Sequence, residues 1–108
     1  MGVISMSFDV IVEKRQNGYY VIVKRGDKRI VYNEGKIPNS GKGRFYRKLI
    51  EMARRKQVKR ARLVAKSLTM RNILRIFFSG GGYYRAEYDL IFDVIEASQG
   101  DLDLEEVA

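Results

Sequence analysis

The chain contains no cysteine, no histidine and no tryptophan, and its one proline is Pro38. Without cysteine there are no disulfides, thiolate nucleophiles or thiolate metal ligands. Without histidine the commonest general base and imidazole metal ligand are gone too. No cofactor and no metal is expected. No apolar run approaches the roughly 20 residues that cross a bilayer. The apolar start, Met1 to Ser7, is short and lacks the basic region of a signal peptide. These absences point to a cytoplasmic protein that does not engage membranes. High charge with little proline and no cysteine suits a thermophile.

Acidic residues are scarce over most of the chain. All 21 lysines and arginines lie in residues 1–85, beside the five acids Asp9, Glu13, Asp27, Glu34 and Glu51. Residues 86–108 hold the other eight acids and no base. The net charge of +8 therefore hides a strongly basic body and an acidic end. A body of that sign attracts polyanions, nucleic acid first.

What is present is enough for one folded domain: 108 residues, 45% of them hydrophobic. The expected class is α+β. An antiparallel sheet of four to five strands opens with a three-stranded meander, and two helices pack on one face. Phe8, Val10 and Val12 alternate with polar neighbours, the period of a strand. Asn17-Gly18 marks a hairpin, Tyr19–Arg25 a second strand, Gly26-Asp27 a tight turn and Lys28–Tyr32 a third strand. A loop of about eleven residues, Asn33–Gly43, follows, and loops of that length often bind something. Helical spacing of Phe45, Leu49, Met52 and Ala53 predicts a helix over Arg44–Gln57. Val58–Lys66 alternates again, with Arg60, Arg62 and Lys66 on its outward side. Ser67 caps a helix over Leu68–Phe78, and Ser79 to Gly82 ends it. The alternation of Tyr84, Ala86, Tyr88, Leu90, Phe92 and Val94 predicts a fifth strand. A helix over Tyr88–Ser98 competes, because Tyr88, Ile91, Phe92 and Ile95 form a stripe. The domain is expected to span 1–98, and 99–108 to be a mobile acidic tail that docks a partner protein or a neighbouring subunit.

The run from Gly41 to Lys48 carries the strongest local signal. Gly41 and Gly43 permit close backbone approach, a helix N-terminus follows, and Lys42, Arg44, Arg47 and Lys48 surround Tyr46. It is not a P-loop, since Lys36 stands where a glycine is needed and Gly43 follows Lys42 in place of Ser or Thr. Arg54, Arg55 and Lys56 with Lys59, Arg60 and Arg62 form a second basic cluster, fit for sequence-neutral phosphate contact. Seven tyrosines are spread among these cations. Rings flanked by cations are how sequence-tolerant single-strand binders hold bases, at roughly 1–3 kcal/mol per base. The expected nucleic-acid site is Lys42, Arg44, Arg47, Lys48, Arg54, Arg55, Arg60, Arg62 and Lys66 for phosphates, with Tyr46, Tyr32 and Tyr84 for bases.

An enzymatic alternative follows from the order of elements. Three strands, a helix, a strand and a helix is also the order in ribonuclease H, and Asp9 and Glu51 match two of its metal-binding carboxylates. The third position holds Lys66-Ser67, and a lysine repels the ions that two-metal hydrolysis needs. A further alternative is an RNA-binding subunit of a larger particle.

In size, strand–helix order and the basic-aromatic stretch from Phe8-Asp9-Val10 through Gly43-Arg44-Phe45-Tyr46-Arg47-Lys48 to Lys66, the chain resembles ThermoDBP-related proteins, archaeal single-strand binders. The resemblance implies a cleft for single-stranded DNA, or RNA, on a non-catalytic domain, and self-association as a dimer or tetramer. The long heptad extension that some members use to oligomerise has no counterpart here.

Overall fold

A computed structural model describes residues 8–78 and 84–108. Five strands form one antiparallel sheet in the order β3-β2-β1-β4-β5: β1 Phe8–Arg15, β2 Gly18–Arg25, β3 Lys28–Asn33, β4 Arg60–Ala65 and β5 Leu102–Glu106. Three helices accompany it: α1 Gly41–Lys56, α2 Leu68–Phe77 and α3 Arg85–Ala97. The α+β class and the N-terminal meander agree with the sequence reading; the third helix exceeds it.

Alternation sets which side of the sheet packs on the helices, and Ile11 and Ile22 on the other side are buried as well. Phe8, Val10 and Val12 face the helices with Val21, Val23, Ala61, Leu63, Leu102 and Leu104. From above, α1 contributes Phe45, Tyr46, Leu49, Ile50 and Ala53; α2 adds Met70, Leu74 and Phe77. Aromatic rings knit the centre: Phe45 meets Phe77 edge-on at 5.1 Å, and Phe8 meets Phe78 at 4.8 Å.

Two expectations are overturned. Residues 85–97 form a helix, not a strand. Alanine, leucine and glutamate in this stretch favour a helix, and the Glu87 carboxylate accepts the Tyr84 N–H at 3.0 Å, closing its first turn. The helix buries Phe92 and Ile95 but leaves Leu90 65% and Val94 50% exposed, so the period-2 pattern was coincidental. The expected acidic tail holds the fifth strand instead. Leu102 and Leu104 are buried, and β5 pairs with β4 in the register Leu63↔Leu104 and Arg62↔Glu105. A basic strand is thus completed by an acidic one, where cross-strand charges attract.

Turns follow local chemistry. In the β1–β2 hairpin Gly18 has φ 119°, and a Cβ there would meet the Glu34 carboxylate. Asn17 keeps negative φ, so the turn needs one glycine and not two tolerant residues. Helix α1 starts at Gly41, three residues before the expected start at Arg44, because the Ser40 hydroxyl accepts the Gly43 N–H at 3.2 Å.

Candidate nucleic-acid interface

The Gly41–Lys48 run is an internal junction. A Cβ on Gly41 would lie 2.7 Å from the Tyr88 backbone and the Asp89 carboxylate. On Gly43 it would collide with the Pro38 carbonyl. Both glycines exist to let α1 touch its own chain, which leaves no room for a phosphate against those amides. Tyr46, expected to stack a base, is 3% exposed. Its ring stacks on Tyr32 at 4.8 Å, and burial first, then Tyr32, pushes its phenol well above the ordinary range. Tyr46 is a core residue, and this corrects the expectation.

The cations around it are engaged within the chain. Lys42 is half-buried with its ammonium 4.8 Å from the Tyr88 ring; burial, then the charge of Arg25, lowers its pKa. Arg44 lies over the Phe92 ring at 4.5 Å, near Asp89 and Asp93 at 4.0 and 3.9 Å. Arg47 donates to the Ile37 carbonyl and the Asn39 side chain, pinning the loop before α1. Lys48 pairs with Glu96 at 3.0 Å. Helix α3 therefore pairs Arg44 and Lys48, two of the four cations in the segment expected to bind nucleic acid.

The second cluster, Lys59 apart, is paired as well. Arg60, Arg62 and Lys66 stand on the sheet face turned away from the helices, as the alternation of β4 requires. Arg60 meets Glu13 at 3.2 Å, Arg62 meets Asp9 at 3.0 Å and Lys66 meets Asp103 at 3.8 Å. Arg54 meets Glu34 at 2.7 Å and Arg55 meets Glu51 at 3.9 Å. Asp103 also accepts Lys56, which holds its carboxyl below the usual range. Of the three tyrosines, Tyr84 is 79% exposed and lines neither of the two grooves beside the β1–β2 turn, and Tyr32 lines one. Tyr83, a further tyrosine that follows Gly82 in the sequence, lies outside the described residues.

Asp9 and Glu51, the two carboxylates of the nuclease alternative, lie on opposite sides of the sheet. Asp9 is on the face away from the helices, and Glu51 is on α1. Each is paired with an arginine. Among the described residues no group of three or more carboxylates is placed to hold a metal ion.

A different place brings cations and rings together. Two grooves flank the β1–β2 turn. The larger, about 570 Å³, is lined among others by Lys14, Arg15, Tyr19, Glu34, Arg54 and Lys59. The smaller, about 500 Å³, is lined by Asn17, Tyr20, Val31, Tyr32, Asn33 and Lys36. Glu34 is the single carboxylate in either wall. Its Oε1 accepts the Tyr19 N–H at 3.0 Å and its Oε2 accepts Arg54, so it is spent on structure, and both bonds depress its pKa. Lys14, Lys36 and Lys59 form no ion pair among the described residues. Arg15 bridges the grooves, with its guanidinium 4.5 Å from the Tyr20 ring and 2.7 Å from Glu13.

Sequence reasoning included Arg54 and Tyr32 here and counted Lys59 in its second basic cluster, but it left Tyr20 out of the expected site and missed Lys14, Arg15 and Lys36. A signal was present: Lys14-Arg15 and Tyr19-Tyr20 bracket the Asn17-Gly18 turn, so the hairpin had to bring two cations beside two rings. Chemically, the larger groove offers cations for phosphates. The smaller offers ring surface and two asparagine amides for a base. No helix among the described residues is long and apolar enough to cross a membrane. No family model, curated protein or solved structure matches the chain.

Proposed function

We propose that the chain binds single-stranded nucleic acid, DNA or RNA, at the β1–β2 end of its sheet, without catalysing a reaction. Phosphates run along the larger groove against Lys14, Arg15 and Lys59, and a base enters the smaller groove beside Tyr20. One observation carries this reading. The larger groove has four cations, of which Lys14 and Lys59 form no ion pair among the described residues, while Arg15 and Arg54 are paired, as are most of the cations expected at the site. Resemblance to the ThermoDBP-related single-strand binders points the same way.

The test is fluorescence anisotropy with labelled oligothymidylate, oligouridylate and a DNA duplex over a salt series. Single strands should bind more tightly than the duplex, with affinity falling steeply in salt. A Lys14→Glu, Lys59→Glu double variant should lose at least about tenfold in affinity, through repulsion where attraction stood. Equal binding of the duplex, or unchanged affinity in the double variant, defeats the reading.

A further inference from the structure

The two outer edges of the sheet are treated differently. On β5 the middle of the outward edge is closed by the chain itself. The Leu104 carbonyl accepts Lys56 Nζ at 3.2 Å, and the Leu104 N–H donates to Asp103 Oδ1 at 2.8 Å. On β3 it is open. The register with β2 turns the backbone groups of Lys28, Ile30 and Tyr32 inward, because the Arg25↔Lys28 pair closes a two-residue turn. Those of Arg29, Val31 and Asn33 face outward; the Asn33 carbonyl opens the 3-10 turn Glu34–Lys36, and the others have no hydrogen-bond partner among the described residues. Ile30 and Val31, on opposite faces of this strand, are 47% and 41% exposed. An open edge with exposed branched side chains on both faces is a template for another strand, and proteins usually blunt it.

Charge says what kind of strand fits. β3 holds Lys28 and Arg29 and no carboxylate, and Lys24 stands across from Arg29. The molecule already contains one solution to this problem. Its other basic strand, β4, with Arg60 and Arg62, is covered by the alternating acidic and apolar β5, Leu102-Asp103-Leu104-Glu105-Glu106. We infer that the β3 edge receives an extended acidic–apolar segment of a partner protein, added antiparallel or parallel as a sixth strand. Main-chain hydrogen bonds to Arg29, Val31 and Asn33 provide attachment, apolar side chains of the segment cover Ile30 and Val31, and its carboxylates meet Lys24, Lys28 and Arg29. The inference stands apart from the nucleic-acid reading, although Val31 and Asn33 also border the smaller groove.

The probe is the octapeptide Asp-Leu-Asp-Leu-Glu-Glu-Val-Ala, copied from residues 101–108, added to the ¹⁵N-labelled full chain. Amide exchange at Arg29, Val31 and Asn33 should slow at least tenfold on saturation. A control peptide with Asn and Gln for each acid should bind at least tenfold more weakly. Val31→Pro deletes one outward N–H and leaves the β2–β3 ladder intact, so it should abolish peptide binding. A Lys28→Glu, Arg29→Glu variant should do the same without touching the edge backbone. Lys14→Glu with Lys59→Glu should leave peptide binding unchanged, which separates this inference from the single-strand reading. Four outcomes overturn it: protection appearing at β5 while β3 amides stay fast; peptide binding that survives both β3 variants; β3 amides protected in the chain alone as concentration rises, which assigns the edge to a second copy; and oligothymidylate protecting the same amides and displacing the peptide, which assigns it to nucleic acid.

Discussion

The Arg54 guanidinium lies 2.7 Å from the Glu34 carboxylate and also stands over the Tyr19 ring at 5.0 Å. One side chain on the last turn of α1 thereby ties the helix to the β2 start and to the 3-10 turn after β3, at the wall of the larger groove. Removing the Glu34 carboxylate leaves the Tyr19 N–H, in a buried residue, without its acceptor. Glu34→Ala should cost about 1–3 kcal/mol of stability, seen as a lower urea midpoint. Glu34→Gln, which keeps the acceptor, should cost less; equal losses would mean the N–H bond is unimportant.

Stability should fall in acid. Glu34 is held below the usual carboxylate range by the Tyr19 N–H and then Arg54, Glu13 chiefly by Arg15, and Asp103 chiefly by Lys56. Because the folded pKa values are depressed, this contribution is present above the unfolded values near about 4 and disappears as pH drops toward the folded ones. Melting temperature measured downward from about pH 5 should decline. A Glu13→Gln, Glu34→Gln variant should show a shallower decline.

At the alkaline end Tyr46 acts in the other direction. Its phenol is raised by burial, so the unfolded chain releases that proton above about pH 10 while the folded chain retains it. Stability is therefore intact below about pH 10 and is lost as pH climbs past it. Tyr46→Phe should flatten the alkaline limb of the melting curve. Absorbance titration should show a tyrosine that ionises only with unfolding; complete titration in the folded state would place the ring in solvent.

Gly43→Ala should destabilise by about 1–3 kcal/mol, since the added methyl meets the Pro38 carbonyl and the loop must shift. In a domain of this size each kcal/mol lowers the melting temperature by about 4–8 °C. Wild-type stability in this variant would show that the glycine is there for a ligand instead.

Leu104→Ala should cost about 2–5 kcal/mol, because that side chain is 3% exposed in the core. Deleting residues 102–108 should be worse and leave β4 with an uncovered basic edge. Full stability of the truncated chain would return this segment to the status of a tail.

Single-strand affinity should fall with salt at a slope of about −0.7 per phosphate neutralised. Lys59→Ala should reduce that slope by about one contact and Arg62→Ala should leave it unchanged, since Arg62 is spent on Asp9. The reverse pattern would move the interface to the face of β4.

The sequence by itself determined the sheet's first four strands, two helices, the Ser67 cap and the separation of charge along the chain. Period-2 alternation, helical spacing and cap residues act over a few positions, so Phe8-Val10-Val12 or Ser67 could be read without knowing their neighbours in space. Only tertiary structure decided residues 85–108. Tyr88 to Ile95 satisfy both periods, and the choice went to the one that seats Phe92 and Ile95 against the core. Leu102 and Leu104 look like a tail until the uncovered edge of β4 calls for an acidic strand. The same holds for the site. Arg44, Lys48, Arg62 and Lys66 read as free cations because their partners Asp93, Glu96, Asp9 and Asp103 lie 37 or more positions away, and burial of Tyr46 is a property of the packed layer. Long-range pairing is invisible to local pattern, and it is what moved the candidate interface from the start of α1 to the β1–β2 hairpin.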